Sequence, residues 1–146
     1  MADTASLTIS ITAPLDRCWA IATDFERYPE WAKDVKESKV VSRDAEGRAT
    51  QVEFRTSALG RSTHYTLEYD YSAAPHRLAW RMVKGDIMRA VDGAYMFAPS
   101  NDGGVVLTYN LSIELIVPLP GFVKRRAEVR ILNTVKELKV RAEGGS

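Results

Sequence analysis

Six aromatic side chains and one arginine carry most of the chemistry that these residue types could perform. Tyr65, Tyr69, Trp80, Tyr95, Phe97 and Tyr109 share the apolar parity of alternating, strand-like runs. A buried phenol hydroxyl needs a hydrogen-bond partner, and water or the oxygen of an enclosed guest can supply it. Plain core packing is the alternative for each ring. Arg89 has the parity of Val91, Gly93, Tyr95 and Phe97, so regular alternation points it inward. An unpaired buried guanidinium is very costly. Arg89 therefore reaches water through a bulge or strand end, pairs with an acid, or meets the polar head of a guest. In the last case its planar fork would orient a carboxylate, carbonyl or quinone oxygen. Arg89 and Tyr95 are the candidate catalytic residues.

The other reactive types argue against common enzyme classes. His64 falls on the polar parity of its strand, and His76 follows Pro75 in a turn. With no cysteine cluster beside them, no metal site is expected. There is no Gly-x-Ser-x-Gly elbow and no glycine loop to cradle phosphate, and no cofactor is expected. Cys18, the single cysteine, sits on an apolar helix face and reads as a small hydrophobe rather than a nucleophile. Asp70 and Asp92 are too isolated to form an acid/base pair.

The elements that must position these groups follow from periodicity. Leu7, Ile9 and Ile11 alternate with Ser6, Thr8, Ser10 and Thr12, giving a half-buried strand over 5–12. Pro14 suits a first helical turn, and Leu15, Cys18, Trp19 and Ala22 follow at the spacing of one helix face. Pro29 forces Tyr28 from helical geometry, so Tyr28-Pro29-Glu30-Trp31 is a turn or a broken helix. Strands follow around Val40-Val41, Val52-Phe54-Thr56, Tyr65 to Tyr71, Leu78-Trp80-Met82, residues 87–97, and Val105 to Leu115. Turns are expected at Asp44-Ala45-Glu46-Gly47, Leu59-Gly60, Gly85-Asp86 and Asn101-Asp102-Gly103-Gly104. Pro118-Leu119-Pro120-Gly121 ends the sheet region, and a helix of about five turns runs from roughly 121 to 142. Ile131, Val135, Leu138 and Ala142 mark its apolar stripe, widened by Phe122, Val129 and Leu132.

The bulk numbers fit one soluble α+β domain of 146 residues, with a core over about 5–142 and a flexible tail at 143–146. Hydrophobic residues make up 45% and charged residues 27%, far from the composition of disorder. The net charge of +1 argues against nucleic acid as a partner. The lone cysteine, an N-terminus without a signal-peptide pattern, and the lack of an apolar run of about 20 residues give a cytoplasmic expectation.

The order of elements resembles the START-like, or Bet v 1-like, superfamily, and within it the polyketide cyclase/dehydrase and coenzyme-Q-binding branch. The residues carrying the resemblance are Ala13-Pro14 with Trp19, Asp24-Phe25-Glu26-Arg27-Tyr28-Pro29-Glu30-Trp31, Leu78-Ala79-Trp80-Arg81, Gly93, Thr108-Tyr109, and Pro118-Leu119-Pro120-Gly121-Phe122. The resemblance implies a helix-grip fold: a curved seven-stranded antiparallel sheet wrapped around a long C-terminal helix, with two short helices after strand 1. It implies an internal cavity but names no reaction.

The expected function is binding, as carrier or in sequestration, of a small hydrophobic or aromatic molecule such as a lipid, quinone or polyketide. Tyr28, Trp31, Phe54, Tyr65, Tyr69, Trp80, Arg89, Tyr95, Tyr109, Phe122, Leu132 and Val135 are expected to line the pocket. Tyr28 and Trp31 would serve as a cap or a gate at its mouth. The main alternative is an aromatase/cyclase or dehydratase, in which Arg89 and one or two tyrosines polarise carbonyls in the same pocket. The last alternative is an interaction protein that contacts ribosomes or membranes. Between residues 119 and 142 seven Lys or Arg face two Glu, an excess of five positive charges. This is either a solvated helix face or a transient contact for anionic membrane or protein at the start of the helix.

Overall fold

The computed structural model describes residues 3–58, 61–86, 88–115 and 121–144, with the backbone alone at 3, 58, 61, 88, 115 and 121–131. The described residues form strand β1 (Asp3–Ile11), helix α1 (Leu15–Thr23) and a 3-10 helix (Phe25–Glu30). Strands β2 (Val35–Arg43), β3 (Ala49–Ala58), β4 (Arg61–Asp70), β5 (Arg77–Gly85), β6 (Met88–Pro99) and β7 (Val105–Leu115) follow, then helix α2 (Gly121–Ala142).

The strands make one antiparallel sheet in the order β1-β7-β6-β5-β4-β3-β2. β2 to β7 follow one another as a meander, while β1 crosses the chain to pair with β7, from Asp3↔Ile113 to Ile11↔Val105. Turn chemistry explains the hairpins. Gly47 and Gly103 adopt φ of 83° and 86°, which a side chain would resist. Asp44 accepts from the Glu46 and Arg48 amides at 3.0 and 2.9 Å, and Asp102 accepts from the Gly104 amide at 3.0 Å.

The expected parities hold along the sheet. Ile11, Val52, Phe54, Leu67, Tyr69, Leu78, Trp80, Val91, Tyr95, Phe97, Val105, Leu107, Tyr109 and Leu111 are buried on its concave side. Val135, Leu138 and Ala142 of α2 join the same core, as do Cys18 and Ala22 of α1. Tyr28-Pro29 resolves into the 3-10 helix, which keeps Phe25 and Tyr28 buried and on one face at i, i+3.

One expectation about the tail is corrected. Glu143 is fastened rather than frayed. Its carboxylate accepts from the amide and the hydroxyl of Thr12, both at 2.8 Å, and pairs with Lys139 at 2.6 Å. These partners hold its carboxyl down at about 2. Arg17 completes the fastening by donating to the carbonyls of Ala142 and Arg141 at the end of α2, at 2.6 and 3.1 Å. The expected Leu59-Gly60 turn and the Pro118-Leu119-Pro120 segment lie outside the described residues.

Candidate functional site

The concave wall is built by cross-strand pairing of inward side chains. Phe54 faces Tyr65 across β3 and β4, Tyr69 faces Trp80 across β4 and β5, and Tyr95 faces Tyr109 across β6 and β7. The rings touch in sequence. Centroids lie 6.0 Å apart for Tyr69–Trp80, 5.8 Å for Trp80–Tyr109, 5.0 Å for Trp80–Tyr95 and 5.2 Å for Tyr95–Tyr109. Trp80 reaches this central position because its partner on β6 is Gly93. A Cβ there would lie 2.6 Å from the indole Cζ2.

Seven of the residues expected to line a pocket are thus brought together: Phe54, Tyr65, Tyr69, Trp80, Tyr95, Tyr109 and Tyr28. Tyr28 packs 5.9 Å from Phe54 and 4.7 Å from Trp31, with both Tyr28 and Trp31 buried. The Tyr28 hydroxyl donates to the Ala22 carbonyl, at the orphaned C-terminal turn of α1. Val135 is fully buried and Leu132 is half-buried against the core. The side chain of Phe122 lies outside the described residues, as do those of the basic cluster Lys124, Arg125 and Arg126.

Arg89 is a correction. The pairing shifts register between Met88 and Ala90, which face Leu115 and Glu114, so Arg89 is an extra residue in β6. A bulge of this kind re-aims the side chain. Arg89 lies on the outside with its side chain 63% exposed, 3.3 Å from the Glu114 carboxylate. It contributes nothing to the concave wall.

Phe25 was not anticipated as a wall residue. Its ring lies 4.3 Å from Tyr69 and 5.4 Å from Tyr28 and is almost fully buried. The i, i+3 spacing of Phe25 and Tyr28 was the available signal, hidden by the expectation of a turn at Pro29.

The electrostatics of the wall are those of neutral phenols. Burial pushes the Tyr65 and Tyr95 hydroxyls up to about 12, and raises Tyr28, Tyr69 and Tyr109 well above the ordinary tyrosine value. All five keep their protons at neutral pH and act as donors. Neighbouring hydroxyls modulate this, Tyr28 beside Tyr95 and Thr56 beside Tyr65. Among the described residues, Tyr69 and Tyr109 have no hydrogen-bond partner for their hydroxyls. Yet no fully sealed side-chain oxygen or nitrogen among the described residues lacks a partner. The residue exposures are compatible with that. Trp80, Tyr69 and Tyr109 keep 8%, 7% and 6%, as Leu111 and Leu67 beside them do, while Leu78 and Leu107 keep none.

Two hollows lined by described residues lie away from the concave side. One of about 660 Å³ lies on the outer face over Ala79 and Ala94, edged by Ser6, Arg77, Asp92 and Asn110. The other, about 680 Å³, lies between α1 and Arg141. Among the described residues, no three His, Cys, Asp or Glu side chains gather closely enough to hold a metal ion. His64 is exposed beside Asp86, and Cys18 is buried, which pushes its thiol up. No described helix is long and apolar enough to cross a membrane.

Comparison with known proteins places this architecture. The profile of the family described as polyketide cyclase / dehydrase and lipid transport matches residues 3–142. A START superfamily protein from Mycobacterium smegmatis is 25% identical, with a TM-score of 0.87 over 96% of this chain and 97% of that one. A protein from Thermus thermophilus is 21% identical, with a TM-score of 0.82 over 96% and 97%. The Zhui aromatase/cyclase from a Streptomyces species is 16% identical, with a TM-score of 0.76 over 100% of both chains. These last two show the fold alone. No curated protein sequence matches. The chain has the helix-grip fold, with the curved sheet, the two short helices after β1 and the long C-terminal helix.

Proposed function

The chain belongs to the polyketide cyclase/dehydrase and lipid-transport family, and from that premise we propose that it holds a small hydrophobic or aromatic molecule between the concave wall and α2. It would act as a carrier or a sequestering protein, in the cytoplasm. One observation carries this reading. At the centre of the wall, Tyr69 and Tyr109 are buried, yet their hydroxyls have no hydrogen-bond partner among the described residues. A core packed only for stability would satisfy or omit such hydroxyls. A guest that buries about 300 Å² of apolar surface there gains on the order of 7 kcal/mol before entropy costs.

The cyclase reading has less support. Arg89, its electrophile, lies outside, and among the described residues no carboxylate or histidine is buried beside the tyrosines. The tyrosine hydroxyls alone keep it in view, since they can polarise a carbonyl. A contact of the basic start of α2 with anionic membrane remains a proposal resting on composition.

Native mass spectrometry of protein purified from its own host tests the main reading. A co-purifying apolar molecule, released on denaturation and rebinding at one per chain, is the expected result. Protein that carries none and takes up no apolar probe in titration would end it.

A further inference from the structure

The concave wall is apolar but not indifferent to its guest. Among the described residues, Thr63 and Thr66 are the only buried polar side chains apart from the tyrosines, and no Asp, Glu, Lys, Arg or His is buried. The charged residues of the strands pair on the outer face, as Arg55 with Glu37, Arg81 with Glu68 and Arg89 with Glu114. Among the described residues the wall therefore has donors and no cation. At its centre Trp80 stands between Tyr69 and Tyr109, at 6.0 and 5.8 Å, seated on Gly93.

Resting on the ligand-binding reading above, we propose that the guest is a flat, uncharged molecule with a carbonyl-type oxygen at its edge. It lies against Trp80 and accepts hydrogen bonds from Tyr69 and Tyr109. Three features support this class. Flat aromatic surface matches an indole bordered by rings. Phenols without a partner among the described residues are donors whose hydrogen bonds a carbonyl makes and a hydrocarbon leaves unmade. A carboxylate would bring a charge against a wall whose described residues offer no opposite charge, leaving its desolvation uncompensated there. Burial holds both phenols in the protonated, donating form.

Three naphthalenes of similar size, bearing an acetyl, an isopropyl or a carboxylate group, separate these terms in calorimetric titration at neutral pH. The acetyl compound is expected to bind tighter than the isopropyl one by about threefold to tenfold per hydrogen bond. It should exceed the carboxylate by about tenfold or more. In Tyr69→Phe and Tyr109→Phe the acetyl advantage should shrink by the same factor while isopropyl binding is kept, which also reports that the variants are folded. Acetyl binding no tighter than isopropyl, carboxylate binding that equals acetyl, or an advantage untouched in both variants overturns the proposal and leaves the carrier reading standing. Failure of all three compounds to bind overturns both.

Discussion

The indole of Trp80 lies on the bare backbone of Gly93, its cross-strand partner, so closely that a Cβ at 93 would be 2.6 Å from both Cζ2 of the ring and the Asn110 carbonyl oxygen. The middle of the aromatic wall depends on this missing methyl group. Gly93→Ala should lower stability by about 1–3 kcal/mol through overpacking, read from urea unfolding. Adding Trp80→Phe should recover only part of the loss, because the Asn110 carbonyl is backbone and cannot withdraw. Full recovery would show that the ring alone sets the fit.

Tyr28→Phe should cost about 1–3 kcal/mol, the penalty for stranding a buried carbonyl. The hydroxyl now serves Ala22, which is fully buried at the last turn of α1. Hydrogen exchange should quicken at the end of α1 while the central strands stay protected. A neutral substitution would mean that water reaches the Ala22 carbonyl.

Arg89→Ala should leave affinity for any apolar guest unchanged and alter stability by less than about 1 kcal/mol, as for an exposed ion pair. The side chain is 63% exposed and lies with Glu114 on the convex side. A large loss of affinity in titration would place Arg89 in the pocket after all.

Glu143→Gln should lower the melting temperature at neutral pH, with the gap from the wild type closing as pH falls. The folded carboxyl is held at about 2, below its ordinary value of 4.5. Its contribution is therefore present above pH 4.5 and is lost as pH drops toward 2. Thermal melts across that window check the sign. A gap that persists unchanged at the acid end would assign the effect to packing rather than charge.

Strand parity made most of the concave wall legible in the sequence, because one buried face fixes which alternate residues turn inward. Tyr65, Tyr69, Trp80, Tyr95 and Tyr109 were readable for that reason. Parity alone pointed Arg89 inward because it assumes an unbroken ladder; the bulge after Met88 breaks it just there and gives the alternative, water and an acid partner. Glu143 was misread because the Gly-rich composition around it speaks of fraying, while its anchor, Thr12, lies 131 residues away. Phe25 was overlooked because a proline nearby signalled a turn, and a short 3-10 helix satisfies the same signal while still aiming two rings inward.

The partnership of β1 with β7 has a consequence for biogenesis. The nine residues of β1 wait for a mate that lies about a hundred positions downstream, from Asp3 opposite Ile113 to Ile11 opposite Val105. A nascent chain can zip the meander from β2 onward as it emerges, but β1 stays unmatched until β7 has been made. Such remote closure is slow. A product cut short before β7 would leave two raw sheet margins open to strangers.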